Sequence, residues 1–243
     1  MSSTRRWTLV VVAAAAVVLA VVAGLVSTQD PTGRAEAAGS GSTASDVADA
    51  YDRVGGEDGR LGEPVSDVRC GLLEDACVQR FAGGAVYANP SAPSGVEIAY
   101  GRPDVAAFAA AARSQVGYTE PAFRRSKWND WVGADVAWCG IFQSWAARAS
   151  GNDDAVPASR DFPALITATQ SDTSRLSSEP SVGALAFMDL EDAGTPTHVG
   201  LVVAHDGLDV QMVEGNVGPT DGRAVVEATR TDPPVLYYWT PRY

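Results

Sequence analysis

The sequence predicts an α+β fold in which a helical layer precedes an antiparallel sheet. Three observations carry that prediction. Apolar residues recur at helical spacing in two stretches between Pro103 and Gly151. From Gly183 onward they fall instead into short apolar or alternating runs, and Gly, Pro and Asp clusters separate those runs. Helices followed by strands, rather than interleaved with them, is an α+β order. No repeat of about twenty to fifty residues occurs, which argues against a solenoid. Hydrophobic residues make up 46% of the 243 positions, enough for a buried core. The six Trp and seven Tyr lie almost entirely beyond residue 50, so the folded mass is downstream.

The first element is an export signal. Arg5 and Arg6 precede Leu9–Val26, a Val/Ala/Leu run without a charge. That is close to the roughly 20 residues a membrane span needs. It exceeds the about 7–15 apolar residues of a cleaved signal. Residues 1–29 are therefore expected to be an uncleaved anchor with its basic end in the cytoplasm. Ala35-Glu36-Ala37 offers a cleavage site as the alternative, which would free the exported part from the membrane. Residues 30–48, rich in Ala, Gly, Ser and Thr, are expected to be a flexible linker.

Residues 49–102 come next, with short apolar pieces between many glycines: hairpins and tight turns rather than helices. Cys70 and Cys77 are close enough to close a disulfide loop, and so small a core needs such a staple. Of three cysteines, Cys139 is left over, either as an inert buried thiol or as a reactive one. The formal net charge is −12, and removing Arg5 and Arg6 makes the remainder more negative still. An acidic body whose one lysine is Lys127 has no footprint for nucleic acid.

The last unit spans 103–243. Asp104 is expected to cap a helix over Val105–Val116 that Gly117 stops. An aromatic-studded loop runs through Trp128 and Trp131. A second helix begins at Cys139, with Ile141, Phe142, Trp145 and Ala149 on related faces and Gly151 as terminator. The expected strands are 184–190, 198–204, 209–215, 224–230 and 235–240.

A cysteine nucleophile must become a thiolate, and a helix N-terminus beside a histidine favours that form. Cys139 is expected at such a helix start, with Gly140 leaving room for a substrate carbonyl and backbone N–H groups of the first turn free for an oxyanion. The base is one of two histidines. His205 abuts Asp206-Gly207, a two-residue turn signal, and is expected to be solvated. His198 opens the same strand and is the better candidate. A turn at Asp206-Gly207 places position 198 opposite about 215, between Glu214 and Asn216. Either could hold the imidazole, because a bulge would exchange them. No His/Cys/Asp cluster has zinc-ligand spacing, and the acidic loop of Asp189, Glu191 and Asp192 is expected to be solvated; no cofactor is expected.

Two resemblances follow. Leu61-Gly62-Glu63-Pro64 together with Phe81 to Tyr87 resembles a single LGFP-type repeat, which implies association with a bacterial cell envelope. Phe81 and Tyr87 are expected in its core rather than on a ligand platform. Residues 111–243 resemble the CHAP family of cysteine- and histidine-dependent amidohydrolases and peptidases, through Trp138-Cys139-Gly140-Ile141-Phe142, His198-Val199-Gly200-Leu201-Val202 and Glu214-Gly215-Asn216. That resemblance implies a papain-like fold and hydrolysis of peptidoglycan amide bonds. It implies Cys139 as nucleophile, His198 as base, and Glu214 and Asn216 completing the site. Trp138 and Ala184 depart from the Gln and Asp common in that family, which leaves the second oxyanion donor unassigned. The expected function is thus an exported peptidoglycan amidase or endopeptidase. A catalytically inactive wall-binding scaffold is the alternative, and acyl transfer would use the same residues.

Overall fold

The structure is a computed structural model that describes residues 38–220 and 222–243. The expected anchor, residues 1–29, and the linker as far as residue 37 lie outside the described residues. Among those described, no helix is long and apolar enough to cross a membrane.

The described residues form one compact unit of mixed helix and antiparallel sheet, the α+β class expected. It opens on α1 (Ala38–Arg53), and here the expectation of a linker to residue 48 is overturned. The reason is periodicity: Val47, Ala50 and Tyr51 fall on one face and pack against a small sheet. That sheet has the order β1 (Cys77–Phe81), β2 (Gly84–Ala88), β3 (Val96–Tyr100), all antiparallel. Cys77, Phe81, Val86 and Ala88 face α1, and Phe81 stacks on Tyr51 at 4.4 Å between centroids. Phe81 and Tyr87 are both fully buried, as core residues should be. Cys70 and Cys77 are joined in a disulfide.

The other face of β1–β3 presents Val78, Ala85, Tyr87 and Ala99 to the main core. There α2 (Pro103–Arg113) covers it, and its Ala106–Ala112 run is buried throughout. Asp104 is not the cap of α2. It lies one residue inside, where its carboxylate accepts from Arg80 Nε at 2.6 Å. Arg80 Nη2 also donates to Ser150 O and Asn152 Oδ1, which ties the small sheet to the C-terminal end of α4 (Cys139–Ala149). A cation there complements the helix dipole.

Two helices were not legible as helices. In α3 (Lys127–Val132) Ser126 and Asn129 form a reciprocal capping box, yet six residues are too few to show a period. Its Trp128 is fully buried and stacks on Trp138 at 4.7 Å. In α5 (Phe162–Gln170) Asp161 caps by accepting from Ala164 N at 2.8 Å. Leu165 and Phe162 of α5 approach α4 so closely that a Cβ on Gly140 would meet both at 3.0 Å. Gly140 therefore admits α5 rather than a substrate carbonyl.

The larger sheet runs β4 (Leu176–Ser177), β9 (Val235–Trp239), β5 (Leu185–Met188), β6 (His198–Asp206), β7 (Asp209–Val217), β8 (Ala224–Thr231), again antiparallel. Leu185, Phe187, Val199, Leu201 and Val213 face the helices, while Ala186, Met188, Val202 and Met212 form a separate cluster on the opposite face. The β6–β7 turn is Gly207-Leu208, one residue later than expected, with Asp206 paired to Asp209. A register shift between Val202 and Ala204 follows, so that Gly200 pairs with Glu214.

Candidate active site

Cys139 is the first residue of α4, and backbone N–H groups in a first helical turn lack intrahelical acceptors. It is the one free cysteine among the described residues, and it is buried with 1% exposure. The loop before it is fastened by Glu120, a buried carboxylate whose Oε2 accepts from Trp138 Nε1 at 2.9 Å and from the Arg124 backbone N–H at 3.1 Å.

His198 opens β6 and is buried. Its Nε2 lies 2.8 Å from Glu214 Oε2, and Cys139 is within hydrogen-bonding reach of the ring. With Nε2 committed to Glu214, Nδ1 is the nitrogen left to the thiol. Glu214 sits across the ladder from Gly200, where a Cβ would come within 2.9 Å of its Cγ. The missing side chain at 200 thus gives the carboxylate its seat. His198 lies two residues along β6 from Gly200, the ladder partner of Glu214, and so on the same face as the carboxylate. Asn216 takes another place. It adopts φ 66, borders the cleft described below, and accepts from Arg223 Nη1 through its backbone carbonyl at 3.1 Å. His205 is exposed beside the turn.

Arg230 was not foreseen. On β8, it donates from Nε to Glu214 Oε1 at 2.8 Å and from Nη2 to Glu214 Oε2 at 2.7 Å. The fork matches the carboxylate, a bidentate geometry that lysine cannot provide. The sequence signal was weak, because Arg230 pairs with Val210 and reaches Glu214 only through the β7–β8 register.

Burial disfavours a charged His198, yet its hydrogen bonds to Cys139 and Glu214 and their charges outweigh burial and raise its pKa to about 9. Burial likewise would raise Glu214, but Arg230 and His198 hold its carboxyl below the usual range. The result is a chain of alternating partners: thiol, imidazole, carboxylate and guanidinium.

A cleft of ≈ 320 Å³ opens over His198 and Asn216, bordered also by Phe123, Arg124, Arg223 and Arg230. Cys139 does not line it. The acidic loop of Asp189, Glu191 and Asp192 is closed by its own backbone, since Asp189 accepts from Ala193 N at 2.9 Å and Gly194 N at 2.7 Å. Those bonds hold the Asp189 carboxyl below its ordinary pKa, that from Ala193 foremost.

Residues 61–102 match the LGFP repeat family. The match takes in Leu61 to Pro64 and Phe81 to Tyr87, and it ends before α2 and Cys139. No curated protein and no solved structure matches the chain.

Proposed function

We propose that this chain is an exported, papain-like cysteine hydrolase of CHAP type that cleaves an amide or peptide bond in peptidoglycan. The observation that carries the proposal is the Cys139–His198–Glu214 arrangement at a helix start, with Glu214 Oε2 at 2.8 Å from the ring. The LGFP repeat at 61–102 supports the wall as the setting. The apolar run Leu9–Val26 supports export, either held at the membrane or released to the wall.

The Cys139 thiol passes its proton to His198, and the sulfur attacks the substrate carbonyl carbon. That attack forms the C–S bond, and collapse of the tetrahedral species restores the carbonyl and breaks the C–N bond, with the imidazolium protonating the leaving amine. Water then attacks the thioester with His198 as base, releasing a carboxylic acid and regenerating the thiol. Glu214 fixes the ring and balances its charge, as the third member of a triad does. Arg230 holds Glu214 ionised and in place.

Burial of Cys139 at 1% favours a second reading, an inactive wall-binding scaffold. Mass spectrometry of peptidoglycan incubated with the full-length chain separates the two. New termini that are lost in Cys139→Ala support the hydrolase, whereas identical digests with both proteins reject it.

A further inference from the structure

Although the chain carries a net charge of −12, its candidate cleft is bordered by three guanidiniums, Arg124, Arg223 and Arg230. Arg230 is neutralised by Glu214. Arg124 and Arg223 have no carboxylate partner among the described residues. Phe123 gathers them instead: its ring, 47% exposed, lies 4.9 Å from Arg124 Cζ and 5.9 Å from Arg223 Cζ. Stacking on an aromatic face orients a guanidinium while leaving its charge uncompensated. Arg223 is further fixed by donating from Nη1 to the carbonyl of Asn216, yet its buried Nε has no acceptor among the described residues. A buried donor without a partner in a native site is uncommon and costs stability. Glu191 is the one carboxylate among the residues bordering the cleft, and it is exposed at the rim.

We propose that Arg124 and Arg223 form an anion subsite that recognises a free carboxylate on the substrate peptide next to the scissile bond. The inference rests on the hydrolase reading only for what happens after binding. A carboxylate supplies two coplanar acceptors, which suit the unused N–H groups of Arg223, and Phe123 offers an apolar surface to the adjoining methylenes. An uncharged carboxamide at the same place supplies one acceptor oxygen and no charge.

The test compares two wall stem peptides that differ only in that carboxylate, one free and one converted to the carboxamide. With the full-length chain, kcat/KM is expected to favour the free carboxylate by about tenfold to a hundredfold, the range for charge-assisted hydrogen bonds. Arg223→Gln brings the ratio close to one. Arg124→Gln, at a more exposed position, lowers it part of the way, and added salt narrows it. A wild-type ratio near one, with turnover intact, overturns the subsite and leaves the hydrolase standing. If neither peptide is turned over, calorimetric binding to Cys139→Ala protein decides. Tighter binding of the free carboxylate, lost in Cys139→Ala/Arg223→Gln, keeps the subsite while the hydrolase fails. Equal binding, or none, overturns the subsite.

Discussion

The small sheet and the large sheet bury different chemistry. Every residue of β2 is buried, and Ala85, Val86, Tyr87 and Ala88 fill space between α1 on one face and α2 on the other. In the large sheet β6 and β7 bury His198 and Glu214, two titratable groups side by side, with Arg230 reaching in from β8. Burying such groups is costly unless each has its partner, and here each does. The small sheet is thus organised for cohesion and the large one for a charge network. The family match stops short of that network. The two regions also meet, since Arg80 of β1 grips the end of α4 opposite to Cys139. The small sheet therefore braces the helix whose other end carries the thiol.

That contrast can be broken experimentally. The largest effect is expected from Glu214→Gln, which keeps the shape and removes the charge. Turnover should fall by about a hundredfold to ten-thousandfold, as when a triad carboxylate is neutralised. The same substitution should move the alkaline limb of the rate profile. Glu214 helps to raise His198 to about 9, so its loss lets the ring release its proton at lower pH. A limb that stays in place would mean that Glu214 does not set the ring's charge.

In the small sheet the expected effects fall on stability. Phe81→Ala removes a fully buried ring stacked on Tyr51 and should cost about 3–5 kcal/mol in denaturant unfolding. Replacing Cys70 and Cys77 by Ser opens a short loop and should cost about 2 kcal/mol on loop-closure grounds. Under conditions where that variant stays folded, the alkylation rate of Cys139 should match wild type. A changed rate would mean that the two regions are coupled more tightly than Arg80 alone accounts for.

A pH dependence of stability is also expected. His198 binds its proton more tightly in the folded protein than in the unfolded chain, so its stabilisation is complete below about 6.5 and is lost as pH rises through about 9. Thermal unfolding of wild type and His198→Gln between those limits should show the slope in wild type and its loss in the variant.

The residues of the network were partly legible in the sequence. Cys139 stood out as the unpaired cysteine at a helix start, and His198 as the histidine away from the turn; both occupy those places. Glu214 and Asn216 could not be told apart, because the turn at Gly207-Leu208 and the shift near Val203 depend on side-chain packing across the sheet. Arg230 was hidden for the same reason: a further shift between Glu214 and Val217 sets which β8 residue can reach the carboxylate. The helical end of the expected linker was hidden by small polar residues, since Ala44 and Val47, continued by Ala50 and Tyr51, are what mark its buried face. Helices as short as α3 declare themselves through a cap, not a period.

The pairing of Cys139 with His198 is tested most directly by the rate at which iodoacetamide alkylates Cys139 at pH 7, read by intact-mass spectrometry in wild type and in His198→Ala. The paired arrangement predicts that wild type reacts at least about tenfold faster, because an adjacent imidazole takes the thiol proton as the sulfur attacks. Equal rates in the two proteins, with both folded, would contradict it.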